Sequence, residues 1–150
     1  MQEVTEELVE RISKTAVPYA VIGNAGFYFH LNERKGGIVE VVAGEPVPGA
    51  TLVTRVEMGL LGMHYEAIIE TAEEVPVGEH KVKVASISYL VADNRARKLL
   101  PTAMTDFIRC GKIDRKIAED VRCMLKATDM QDEWEFFWQM MYDFAPNVLE

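Results

Sequence analysis

The apolar positions change rhythm twice along the chain. Val4, Leu8 and Ile12 recur at i, i+4 and i+8, with Val9 beside them. That spacing predicts one amphipathic helix within residues 1–17. Glu7→Arg11 and Glu10→Lys14 are acid-first pairs four residues apart, and the acids crowd the first turns, where the helix dipole favours them. Pro18 ends the pattern.

Over residues 18–92, Val, Ile, Tyr, Phe and Thr dominate, and Gly, Pro and Asn punctuate. Tyr19–Ile22 and Phe27–Leu31 read as strands around Gly23-Asn24-Ala25-Gly26, and Asn32–Gly37 as a turn leading to a returning strand, Ile38–Val42. The prolines make Gly44–Gly49 a rigid loop. Thr51–Glu57 and Met63–Thr71 read as strands bracketing an apolar loop, Met58–Gly62. Glu73–Glu79 reads as a turn and Lys81–Val91 as the last strand. Short connections imply antiparallel pairing, and five to six such strands curl or close into a small barrel.

Residues 93–150 return to helical spacing. Asp93 is a candidate cap for a short helix over Asn94–Leu99. Pro101 starts another, with Met104, Phe107 and Ile108 inward and Gly111 as its stop. Asp114 is a candidate N-cap for a helix that turns Ile117, Val121, Met124 and Leu125 to one side. Thr128-Asp129-Met130-Gln131 fits a capping box for a last helix reaching about Ala145, before Pro146. The expected fold is a single α+β domain with an N-terminal helix, a curled antiparallel sheet or small barrel, and about three C-terminal helices.

The last helix carries the strongest interaction signal. At about 100° per residue, Trp134, Phe136, Phe137, Trp138, Met140, Met141 and Phe144 cover an arc of roughly 200°, whereas one packed neighbour needs about 100°. Either this helix lies in a groove of its own chain, or one flank meets a partner. Trp, Tyr, Phe and Met enrich interface cores. The second reading makes those seven residues an interface with another protein or a second copy, a dimer first among the possible assemblies.

Composition narrows the function classes. The chain has 150 residues, 49% of them hydrophobic, and 24 acids against 16 bases give a net charge of −8. These are values of a globular domain. No apolar run approaches a membrane span, and the first residues, Met1-Gln2-Glu3-Val4, do not read as a secretory leader. Two cysteines, Cys110 and Cys123, are too few for a disulfide framework. The expectation is a reduced, cytoplasmic protein that binds neither membrane nor nucleic acid. Residues 93–126 hold nine bases and five acids, whereas 127–150 hold acids and no base. That asymmetry suits head-to-tail pairing or a basic partner.

Catalytic signatures are scarce. Ser13, Ser86 and Ser88 lie in no nucleophile elbow, and Gly23-Asn24-Ala25-Gly26 lacks the Lys-Ser/Thr and the following helix of a phosphate loop. His30, His64 and His80 have no ligand spacing, so no metal or cofactor is expected. Arg95-Ala96-Arg97-Lys98 places three cations in four residues. The favoured expectation is a non-enzymatic binding or assembly protein that acts through its aromatic C-terminal helix. The alternative is a nucleotide- or flavin-binding domain, catalytic or not, with Arg95, Arg97, Lys98 and His64 at its site.

Overall fold

β1 (Tyr19–Ile22) is wholly buried and forms the centre of a five-stranded sheet of order β3-β2-β1-β5-β4. The computed structural model describes residues 3–150. β2 (Glu40–Ala43) runs antiparallel to β1 from Tyr19↔Ala43 to Ile22↔Glu40. β5 (His80–Val84) lies on the other side of β1, parallel to it at Val21↔Val84, and the Ala85 N–H donates to the Val21 carbonyl at 2.9 Å. β3 (Thr51–Leu52) extends β2 in parallel, and β4 (Glu73–Val77) pairs antiparallel with β5.

The molecule is therefore α+β, but its sheet is mixed and open rather than a purely antiparallel or closed one. Four segments expected to be β-structure account for the difference, the first being Thr51–Glu57, of which only Thr51 and Leu52 form a strand before the chain turns. Phe27–Leu31 belongs to α2 (Gly23–His30), which is buried on nearly every side. A helix buried all round shows no 3.6-residue rhythm, and its aromatic residues then resemble a core strand. Met63–Thr71 is the end of a 3-10 turn (Gly59–His64) followed by α3 (Tyr65–Glu70). Lys81–Val91 divides into β5, which alternates exposed and buried residues, and the start of α4 (Ile87–Ala96), because no breaker separates the strand from a helix that opens with Ile87 and Tyr89. Glu73–Glu79, expected as a turn, supplies β4, a largely exposed edge strand that its acids made look like a loop.

The outer helices follow the expected signals more closely. α1 (Glu6–Ser13) buries Val9 and Ile12, Thr5 caps it by accepting from the Leu8 N–H, and Glu10 pairs with Lys14 at 2.6 Å. α5 (Thr102–Arg109) follows Pro101 and ends near Gly111, whose φ is +73°. α6 (Arg115–Ala127) is capped by Asp114, which accepts from the Ile117 N–H at 2.8 Å. α7 (Gln131–Phe144) precedes a short α8 (Pro146–Leu149). The expected capping box is not formed: Thr128 Oγ1 donates back to the carbonyls of Met124 and Leu125 and so closes α6. α4 packs against α2, α6, α7 and the 3-10 turn. No helix of the described residues is long and apolar enough to cross a membrane.

Candidate functional site

The last turns of α4 hold the most unusual electrostatics in the molecule. Asp93, Asn94 and Arg95 are consecutive and only 0%, 1% and 5% exposed. Ionic groups are almost never buried unless paired. Arg95 donates to Asn94 Oδ1 through Nε and Nη2, to the Leu99 carbonyl at 2.7 Å, and to Glu133 of α7 at 3.3 Å. Its guanidinium lies 4.5 Å from the Phe136 ring centre. Burial pulls the Arg95 guanidinium below its ordinary value, and Glu133 opposes that.

Arg97 joins two carboxylates. It donates to both oxygens of Asp93, at 2.7 and 2.8 Å, and to both oxygens of Glu40 on β2, at 3.0 and 3.1 Å. Burial works against this charge, but the two carboxylates outweigh it and hold the guanidinium above its ordinary value. Burial raises the Asp93 carboxyl, against the pull of Arg97 and of the Gly23 N–H that donates to it. Gly23 opens α2 at φ +74°, and a Cβ there would stand 2.5 Å from Glu40 Oε1. Glycine is required at this crossing both by the backbone and by the space.

This cluster ties α2, β2 and α4 together. Arg95 and Arg97 spend their hydrogen bonds within the chain, because they sit in the buried end of a helix that began at Ile87 rather than in a surface turn. Asp93, expected as a cap, is an interior helical residue. The Gly23 loop does open a helix, contrary to the sequence reading, and the acids it faces are Asp93 and Glu40. The acid-first spacing Asp93→Arg97 was the signal for this pair, and Glu40 had none.

Lys98, exposed at φ +55°, is the one member of the cation group facing solvent. It lines a cleft of about 390 Å³ with Leu60 of the 3-10 turn, Ala96, and residues 129–133 at the start of α7. Large apolar side chains in contact with water accompany this cleft: Leu60 in its lining is 56% exposed, Leu100, two residues after Lys98, 77%, and Phe136, stacked on Arg95, 43%. Asp129 and Asp132 in the lining are exposed and enter no ion pair among the described residues, and Glu133 is held by Arg95.

The residues of the wide apolar arc of α7 differ in their burial within the chain. Phe137, Met140 and Met141 are buried in the chain's own core, so the structure removes them from any surface. Their side of the helix meets α4, α5 and α6. Trp134 and Trp138 are half-buried beneath Arg122, whose guanidinium lies 4.6 and 5.0 Å from the two ring centres. Phe144 carries Arg109 at 4.4 Å. Bases of the preceding segment thus cover aromatic residues that the sequence left unpartnered. Phe136 is the member of the seven that stays exposed.

His64 is placed away from this cleft, near the opposite end of α4, with Nδ1 3.5 Å from the Tyr89 hydroxyl. His30 meets the Ala85 carbonyl at 3.0 Å. Among the described residues no three His, Cys, Asp or Glu side chains gather as a metal site, and both cysteines are free and exposed. No protein-family model matches this chain, and neither the curated proteins nor the solved structures yield a match.

Proposed function

We propose that this protein is a non-enzymatic binding module that docks an apolar, basic protein segment in the cleft between Leu60, Lys98 and the start of α7. One observation carries the reading: exposed Leu60 lines this cleft, exposed Leu100 follows its lining residue Lys98 by two positions, and exposed Phe136 lies against Arg95, which holds the lining residue Glu133. Scattered exposed apolar residues are ordinary, whereas a rim of them about an acidic cleft is a feature of interaction sites. Each large side chain fully removed from water contributes about 1.5–3 kcal/mol, so the three together offset much of the cost of association and the charged contacts must supply the rest. Asp129 and Asp132 select the sign of the partner, since buried against an acidic segment they would repel it.

The test uses defined peptides. An amphipathic Leu/Lys helix, its Leu/Glu counterpart and a Lys-only peptide are titrated while amide signals of the chain are followed by NMR. The Leu/Lys peptide is expected to shift residues 58–61, 98–101 and 129–137, and Leu60→Asp with Phe136→Glu to abolish the effect. Equal response to the acidic peptide, or a response elsewhere on the surface, refutes the proposal. A particle mass that rises with concentration in the wild type, and not in the double variant, replaces the foreign segment by a second copy.

A further inference from the structure

We propose a second site, for small organic diamines, in a trough at the other end of α4. It is independent of the docking cleft, which lies beyond the last turn of that helix. The chain leaves β5 at Val84, and Ser86, Ser88 and Tyr89 form one wall. Thr71, just after α3, and Asp120, Cys123 and Met124 of α6 complete a lobe of about 490 Å³, within the size range of small-molecule pockets. A second lobe of about 350 Å³ shares Thr71, Ser86 and Ser88 and adds Glu73, Ile87 and Ile117. The shared residues make the two lobes one elongated trough.

Its chemistry is one-sided. Each lobe carries a carboxylate, Asp120 in one and Glu73 in the other, and no lysine or arginine lines either. Neither carboxylate has a basic nitrogen within 4.0 Å among the described residues, whereas Glu40, Asp93 and Glu133 all do. A phosphate or carboxylate ligand would therefore meet two like charges and no cation. Both carboxylates are exposed, and the same lobes are lined by hydroxyl groups, which can accept from an ammonium, and by the apolar side chains of Ile87, Ile117 and Met124, which suit methylene groups. The Tyr89 ring offers a face to a cation. A diamine meets each of these demands at once, with an ammonium at each carboxylate and its alkyl chain over the apolar floor. A monoamine satisfies half of them.

Putrescine, n-butylamine and inorganic phosphate serve as probes, titrated by calorimetry at about 0.15 M salt, where diffuse attraction to the −8 chain is screened. Putrescine is expected to bind saturably, and n-butylamine at least about tenfold more weakly. Asp120→Asn and Glu73→Gln should each weaken putrescine about tenfold or more, whereas Glu45→Gln, an exposed carboxylate outside both sites, should not change it. Ser88→Leu fills the trough without altering charge and should also remove binding. Circular dichroism confirms that each variant is folded. Putrescine binding that survives both Asp120→Asn and Glu73→Gln, or the absence of saturation in the millimolar range, overturns the proposal.

Discussion

Replacing Arg97 by Met isolates the energetics of the buried cluster. The wild-type guanidinium makes four charge-assisted hydrogen bonds of 2.7–3.1 Å, two to Asp93 and two to Glu40. The two acids respond differently to its loss. The Glu40 side chain is 27% exposed and can regain water, whereas the Asp93 side chain is 0% exposed and cannot. An uncompensated buried charge costs about 3–5 kcal/mol. With a urea m-value of about 2 kcal/mol/M, the midpoint should fall by roughly 1.5–2.5 M at unchanged m. The loss must also depend on pH. Burial already holds the Asp93 carboxyl above its ordinary value with Arg97 present, and removing Arg97 raises it further. A carboxyl whose folded value exceeds its unfolded value contributes stability below the unfolded value and loses it as pH rises through the folded one. The deficit of Arg97→Met should therefore be largest near neutrality and shrink toward about pH 4. Adding Asp93→Asn should recover most of it. A loss under about 1 kcal/mol, or one equal at both pH values, would refute the reasoning.

Other substitutions test the remaining assignments. Gly23→Ala meets both the positive φ and Glu40 Oε1 and should cost about 1–3 kcal/mol in chemical denaturation. Phe137→Ala should destabilise by about 3–5 kcal/mol, whereas Phe136→Ala, one residue away, should stay within about 1 kcal/mol and lose the Leu/Lys peptide instead. Tyr28 is pushed above the ordinary phenol range by burial and by its 2.7 Å bond to Asp106, so Tyr28→Phe should delete a late step from the ultraviolet phenolate titration. Replacing the exposed Cys110 and Cys123 by Ser should move the denaturation midpoint by no more than about 0.5 kcal/mol.

The sequence by itself determined the elements that meet solvent on one side. α1, α5 and α6 show an apolar stripe, a capping residue or a stop glycine, all consequences of local geometry that neighbouring residues encode. It also determined that the chain is α+β, because its β-branched centre and helical flanks differ in rhythm. Where a segment is buried on every side the rhythm vanishes, and α2 passed for a strand; the start of α4 did so because Ile87, Tyr89 and Val91 follow β5 without a breaker. Sheet order was equally illegible: β1 lies between β2 and β5, which are separated from each other by about half of the central segment, and hydrogen bonds across a sheet leave no mark on local spacing. The site followed the same division. The cations at 95–98 and the aromatic arc of α7 were visible as residue types. Only packing decided that Arg95 and Arg97 turn inward to Glu133, Asp93 and Glu40, and that Arg122 and Arg109 cover the aromatic rings. A charge and its counter-charge find each other through the folded backbone, where removal from water makes pairing obligatory, and Glu40 lies 57 residues from Arg97.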